Sequence, residues 1–170
     1  VVETPDGHLW LSGNTGLYEF DPGSARFTRY QPPRDPAPLS PAPNGPNYFG
    51  GTSLGTDASG NLLVGTVISG VYTFDTAQRQ FTAAYRPNPV NPDSLSNAPI
   101  NSIYRSRDNI LWFGTPFAGV DWLDPLQSQF TFYRHDPTNA NNLPDVPMRA
   151  LAQTQDGALW LGAGDGLLYF

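Results

Sequence analysis

The stretch Asp108-Asn109-Ile110-Leu111-Trp112-Phe113-Gly114-Thr115 decides the fold, because its pattern returns three more times along the chain. Each copy joins a turn signal to a short apolar run, and the run is followed by small residues. The aligned positions Trp10, Leu63, Trp112 and Trp160 are separated by about 53, 49 and 48 residues. A repeat of roughly this length is typical of solenoids and propellers. The other copies are Asp6-Gly7-His8-Leu9-Trp10-Leu11, Ser59-Gly60-Asn61-Leu62-Leu63-Val64 and Asp156-Gly157-Ala158-Leu159-Trp160-Leu161.

Each repeat predicts four short strands. A run such as Ile100 to Tyr104 precedes the turn signal, the motif itself forms the second strand, and a glycine opens a third, as in Gly119 to Asp124. A fourth follows in three of the copies, as in Phe130 to Tyr133. Four antiparallel strands per repeat describe a propeller blade, whose two faces are covered by its neighbours. We therefore predict an all-β propeller of about four blades, approximately 1–47, 48–97, 98–145 and an incomplete 146–170.

Composition supports this fold class and narrows the partners. The 170 residues include 17 glycines and 18 prolines, which interrupt the chain too often for long helices. The net charge is −6 and no basic run is present, so nucleic acid and direct membrane insertion are not expected. No apolar stretch approaches the ~20 residues of a membrane span. The chain begins within a strand, and we interpret it as a piece of a longer protein, a fragment of a seven-bladed propeller and not a closed four-bladed one.

The repeat resembles that of the two-component regulator propeller family. The family pattern, Asp-x-x-Gly-x-Leu-Trp-Ile-Gly-Thr followed by Gly-Leu-Tyr and an Asp-Pro turn, is matched well at 112–115 and 160–162, and 91–97 resembles its linker. The resemblance implies a periplasmic or extracytoplasmic sensor, often of oligosaccharides, followed by a membrane helix and a kinase or cyclase. It implies as partners a small ligand, the rest of the propeller, downstream signalling domains and a second copy in a homodimer. It transfers no ligand residue to this sequence, because the matching residues are those that build blades.

The sequence contains no convincing catalytic or metal site. Asp21, Asp75 and Asp124 recur at the same phase, where they close the third strand as turn residues. His8 and His135 lie far apart without metal-ligand spacing, and the chain has no cysteine. We therefore predict a non-enzymatic domain without cofactor or metal.

Ligands of propellers usually meet the loops and inner-strand ends around the central channel. Three residues there are equivalent in the repeat but chemically different, namely Thr52, Asn101 and Arg149. Tyr48 and Arg105 lie near them in sequence. Trp122 is a further candidate, because Asp121-Trp122 exchanges the aromatic and polar positions of Tyr18-Glu19. These six residues, Thr52, Asn101, Arg149, Tyr48, Arg105 and Trp122, form the predicted ligand site.

The function predicted from the sequence is a non-catalytic, ligand-sensing propeller of a bacterial two-component-type protein. Two alternatives stay open. A carbohydrate-active propeller enzyme would need carboxylates clustered at one channel mouth. A protein interaction scaffold would bind a partner protein and no small molecule.

Overall fold

The computed structural model describes residues 1–32, 49–126, 129–139 and 142–169, and these form four antiparallel sheets in chain order. The predicted all-β class is confirmed. Each sheet falls within one predicted blade, although the blade boundaries themselves stay a prediction. No described residues form a helix that could cross a membrane. The sheets consist of β1 Val2–Glu3, β2 Leu9–Gly13, β3 Gly16–Asp21 and β4 Arg26–Tyr30; β5 Gly51–Thr56, β6 Leu62–Thr66, β7 Val71–Asp75 and β8 Gln80–Tyr85; β9 Ser102–Arg105, β10 Leu111–Gly114, β11 Val120–Asp124 and β12 Gln129–Tyr133; and β13 Met148–Gln153, β14 Leu159–Ala163 and β15 Gly166–Tyr169.

The inner strands bring successive sheets into contact in the order of the chain. Strand β9 lies between β5 and β13, and β5 also contacts β2 of the first sheet. Side chains on a strand alternate between its two faces, so a sheet with a neighbour on each side needs apolar residues at both phases. Strand β6 shows this pattern: Leu62 and Val64 pack towards the first sheet, whereas Leu63 packs towards the third.

Three apolar clusters fill the spaces between adjacent sheets. Trp10 of the first sheet packs on Phe74 of the second, with ring centroids 5.2 Å apart. Phe113 of the third sheet lies in the cluster shared with the second. Met148 and Leu161 of the fourth sheet share a cluster with Val120 of the third. Burial of apolar surface between sheets is thus the main stabilising interaction of the molecule.

The turns between the first and second strands share one hydrogen bond in the first, third and fourth sheets. A hydroxyl donates to an aspartate two residues later, from Thr4 to Asp6 at 2.6 Å and likewise from Ser106 to Asp108. Asn109 has a φ of 66°, in the position where the other copies have glycine. Such a left-handed residue is needed in this tight hairpin, and asparagine tolerates it better than most side chains do.

A second repeated glycine is required by close packing. Gly119 has a φ of 79°, and a Cβ there would collide with the carbonyl oxygen of Tyr133 at the end of the outer strand. Gly70 stands in the same relation to Tyr85. These glycines let the outer strand approach the third strand closely, and they explain why the repeat retains glycine at this point.

Candidate functional site

The candidate site lies at the end of the sheets where the inner strands β5, β9 and β13 begin, which we call the rim. The loops between the second and third strands reach the same end. Thr115 anchors one such loop: its buried hydroxyl donates to Gly119 O at 2.9 Å and accepts from Ala118 N at 2.9 Å. Thr66 makes the equivalent bonds to Gly70 and Ser69, both at 3.0 Å. The Gly-Thr pair of the repeat therefore fixes the rim loops.

The same threonines join each sheet to the next. Thr66 O accepts a hydrogen bond from Ile100 N at 3.1 Å, and Thr115 O accepts one from Met148 N at 3.0 Å. Each bond connects a rim loop to the residue that leads into the next inner strand. The backbone of the rim is thus continuous from the second sheet to the fourth.

Two of the predicted ligand residues occupy irregularities in the inner strands. The register of β5 against β6 shifts between Gly51 and Ser53, which leaves Thr52 as an extra residue. The register of β13 against β14 shifts in the same way around Arg149. Bulges turn a side chain away from the ladder and often lie beside functional sites. The sequence repeat did not reveal these bulges, because a bulge is recognised from the pairing of two strands and not from the type of residue.

Hydrogen bonds link the three equivalent positions. The hydroxyl of Thr52 donates to Ile100 O, the residue before Asn101. Asn101 in turn donates its N–H to Gly114 O at 2.8 Å, next to the Thr115 that binds Met148. Thr52, Asn101 and Arg149 therefore lie at successive positions along one rim.

The side chains at these positions differ in whether they already have a hydrogen-bond partner within the chain. The Thr52 hydroxyl is bonded to Ile100, and the half-buried amide of Asn101 has no described partner. Arg149 is exposed and makes no ion pair or hydrogen bond with any residue that the structure describes. Sequence reasoning overlooked Phe117, whose side chain is 75% exposed in the loop that Thr115 anchors. An apolar residue in a loop gives no sequence signal of exposure, because most such residues are buried.

The remaining predicted residues lie elsewhere. Arg105 ends β9, at the opposite end from Asn101, and bonds Asn109 Oδ1 at 3.0 Å. Trp122 lies in the middle of β11, with its ring 6.3 Å from that of Trp112. Tyr48 falls outside the described residues.

A buried charge cluster connects the first two sheets. Glu19 accepts hydrogen bonds from His8 at 2.7 Å, Tyr30 at 2.7 Å and Arg79 at 2.8 Å. Burial opposes ionisation of Glu19, but these donors outweigh it and keep its pKa below the ordinary value. Burial and the bond to Glu19 raise the pKa of Tyr30 to about 12. The sequence showed no carboxylate spaced to meet His8, since strand pairing brings Glu19 to it. The cluster is saturated by its own members and is a structural link between sheets.

Asp121 is a second buried carboxylate, wholly enclosed on the third sheet. Its Oδ2 accepts the N–H of Ser96 at 2.9 Å, while Oδ1 has no partner among the described residues. Burial raises the pKa of Asp121 to about 6, and the bond to Ser96 offsets only part of this effect. The strand register places Asp121 opposite Phe113, as Tyr18 lies opposite Leu11, which confirms the exchange seen in the sequence.

The half-buried aspartates that end the third strands accept hydrogen bonds in turns. Asp21 accepts from Gly23 N at 2.8 Å, Asp75 from Ala77 N at 2.9 Å, and Asp124 from Leu126 N at 2.9 Å. Within the described ranges, no three His, Asp, Glu or Cys side chains are grouped to hold a metal. Asp21, Asp75 and Asp124 thus serve as turn residues at the end of the sheets opposite the rim.

A groove lies away from the rim, between the second and third sheets. It has a volume of about 270 Å³. Its walls combine apolar Tyr85 and Phe130 with polar Asn91 and Asp93. None of the predicted ligand residues contributes to it, so it is a separate feature of the surface.

Comparison with known proteins supports the repeat and the fold. Residues 94–117 match the model of the two component regulator propeller family. The chain is similar to the extracellular domain of a putative hybrid two component system from B. thetaiotaomicron, with 24% identity and a TM-score of 0.77 over 99% of this chain and 22% of that one. A second such domain from B. thetaiotaomicron gives 17% identity and a TM-score of 0.76 over 98% and 20%. No relative was found among curated protein sequences.

An enzyme shares the fold as well. Virginiamycin B lyase from Staphylococcus aureus is 15% identical, with a TM-score of 0.63 over 99% of this chain and 53% of the lyase. The chain therefore spans about a fifth of the two-component domains and half of the lyase. The repeat match and the shared architecture together identify the chain as a β-propeller segment that contains a two-component regulator propeller repeat, as its sequence predicts.

Proposed function

We propose that this chain is part of the extracytoplasmic, ligand-sensing propeller of a bacterial two-component-type signalling protein, and that it catalyses no reaction. The observation that carries the proposal is the rim. There, one repeated backbone presents three different side chains, the hydroxyl of Thr52, the amide of Asn101 and the guanidinium of Arg149. A scaffold that repeats while its rim residues differ suits recognition of an asymmetric ligand.

The chemistry of the buried and exposed carboxylates favours a binding function. Glu19 is saturated by three donors, and Asp21, Asp75 and Asp124 accept turn hydrogen bonds. A hydrolase would need two carboxyl groups facing one bond. The likeness to the lyase concerns the scaffold, and a scaffold does not define an activity.

The proposed ligand is an oligosaccharide or another small polar molecule. Binding at the rim would be passed on through the hydrogen bonds that join successive sheets at Ile100 and Met148. The rest of the propeller and the downstream signalling domains are the proposed recipients. A homodimer is the assembly in which a sensor of this kind would pass its signal on.

The test measures binding and turnover in one experiment. The chain is titrated with a panel of neutral and acidic oligosaccharides by calorimetry, and each mixture is then analysed for products by chromatography. We expect at least one ligand to bind and to remain intact, with Asn101→Ala weakening its binding and the control Arg26→Gln leaving its binding unchanged. Turnover that a single carboxylate substitution abolishes would contradict the non-catalytic function, and an absence of binding across the panel would contradict sensing.

A further inference from the structure

We propose that the ligand of the rim has an anionic group that pairs with Arg149, beside an apolar face that packs on Phe117. This inference rests on the proposed function and defines the chemical class of the ligand. For an oligosaccharide, the class is one that contains uronic acid or sulfated sugars.

The first step concerns the charge of Arg149. This residue is the extra residue of a bulge, is exposed, and pairs with no described carboxylate, although the chain has a net charge of −6. Arg79 binds Glu19 and Arg107 binds Gln155 O at 2.7 Å, whereas Arg26 and Arg29 are exposed on the outer strand β4 and not at an inner-strand bulge. The planar guanidinium matches a carboxylate or sulfate with two parallel hydrogen bonds. Arg149 is thus an available cation at the rim.

The second step concerns Phe117. Its side chain is 75% exposed, but the hydroxyl of Thr115 holds its loop through two bonds of 2.9 Å. A ring on an anchored loop loses little conformational freedom when a ligand packs on it. It offers a flat apolar surface of the kind that aromatic side chains contribute to recognition. In the second sheet, the equivalent loop position holds Ile68, which is only half-exposed.

The third step joins the two residues. Thr115 O accepts the N–H of Met148, which immediately precedes Arg149, at 3.0 Å. Two residues after Thr115 the chain reaches Phe117. Asn101 is attached to the same segment through Gly114 O at 2.8 Å. The segments that carry a cation, an amide and an aromatic ring therefore meet at one short, hydrogen-bonded stretch of backbone.

The experiment compares tetragalacturonate with its methyl ester, which has the same sugar backbone but no negative charge. Calorimetry is performed on the unaltered chain, Arg149→Gln, Phe117→Ala and the matched control Arg26→Gln, which removes an exposed arginine from the outer strand β4 of the first sheet. Circular dichroism melting of each variant verifies the fold. We expect the acid to bind at least about tenfold more tightly than the ester. Arg149→Gln should abolish that difference, Phe117→Ala should weaken binding of both probes, and Arg26→Gln should change the affinity for neither.

Equal affinity for acid and ester, or an acid preference that persists in Arg149→Gln, would overturn the inference. In that case the proposed sensor function still stands, since the rim binds a sugar without selecting charge. Failure of both probes to bind also overturns the inference, whereas the sensor function fails only when the whole oligosaccharide panel shows no binding. A preference for acid that falls as salt is raised would support the pairing with Arg149.

Discussion

The Asp121 carboxylate is wholly buried, and burial raises its pKa from an ordinary 3.8 to about 6. A carboxyl group with a raised pKa in the folded state binds its proton more tightly there than in the unfolded chain. The Asp121 carboxyl group therefore makes its full contribution to the free energy of unfolding below about pH 4, and this contribution is lost as the pH rises through 6. Above that pH the ionised group disfavours folding by roughly 3 kcal/mol, since each pKa unit corresponds to about 1.4 kcal/mol.

Asp121→Asn tests this pH dependence. The amide oxygen can still accept the N–H of Ser96, but no charge is buried. We expect the free energy of unfolding, measured in urea at pH 4, 6 and 8, to increase by roughly 1–3 kcal/mol at pH 8 and to change little at pH 4. The control Asp124→Asn alters a turn residue of the same strand and should not stabilise the protein at pH 8. Parallel pH profiles for Asp121→Asn and the unaltered chain would contradict the assignment.

Replacing Arg79, which binds Glu19, tests how much the contact between the first two sheets contributes to stability. Arg79→Met leaves a buried carboxylate with His8 and Tyr30 as its remaining partners. The expected loss of stability is about 1–2 kcal/mol, because the Arg79 side chain is 43% exposed and water screens the pair. Urea denaturation measures it, with Arg26→Met on exposed β4 as a control that should have little effect. A loss no larger than that of the control would mean that the ion pair contributes nothing.

At the scale of elements, one hydroxyl helps to anchor the rim loop. Thr115→Val keeps the shape of the side chain but leaves Ala118 N without its bond and removes one of the two bonds to Gly119 O, which still accepts the backbone N–H of residue 115. We expect a loss of about 1–3 kcal/mol in denaturant unfolding, together with faster amide exchange in 116–118. Thr131→Val on the exposed outer strand is the control, and it should fall within about 0.5 kcal/mol of the unaltered chain. Unchanged exchange in the loop would show that the hydroxyl does not anchor it.

The sequence predicts elements well wherever the determinant is local. Asp21, Asp75 and Asp124 end the third strands because their carboxylates fit turns, and the repeat places them correctly. The bulges at Thr52 and Arg149 depend on pairing between strands, so no local pattern indicates them. The meeting of Glu19 with Arg79, 60 residues away, depends on how two sheets pack. The rim positions of Thr52, Asn101 and Arg149 followed from repeat equivalence, whereas the exposure of Phe117 required the structure.

At the scale of the whole molecule, stability comes from stacking, since each sheet buries its faces against its neighbours in the chain. Phe113 is wholly buried between the second and third sheets, whereas Tyr169 on the fourth sheet is 69% exposed. Phe113→Ala should therefore cost about 3–5 kcal/mol in urea unfolding. Tyr169→Ala is the matched control and should cost less than about 1 kcal/mol. Similar losses for the two substitutions would contradict stacking as the main stabilising interaction.

Contact between ligand and rim can be mapped directly by titrating the ¹⁵N-labelled chain with the tightest oligosaccharide of the panel and recording amide chemical shifts. The largest shifts are expected in 50–53, 100–102, 114–118 and 148–150, the segments that the rim hydrogen bonds connect. Shifts concentrated instead at Asn91, Asp93 and Phe130 would place the ligand in the groove between the second and third sheets and contradict a binding site at the rim.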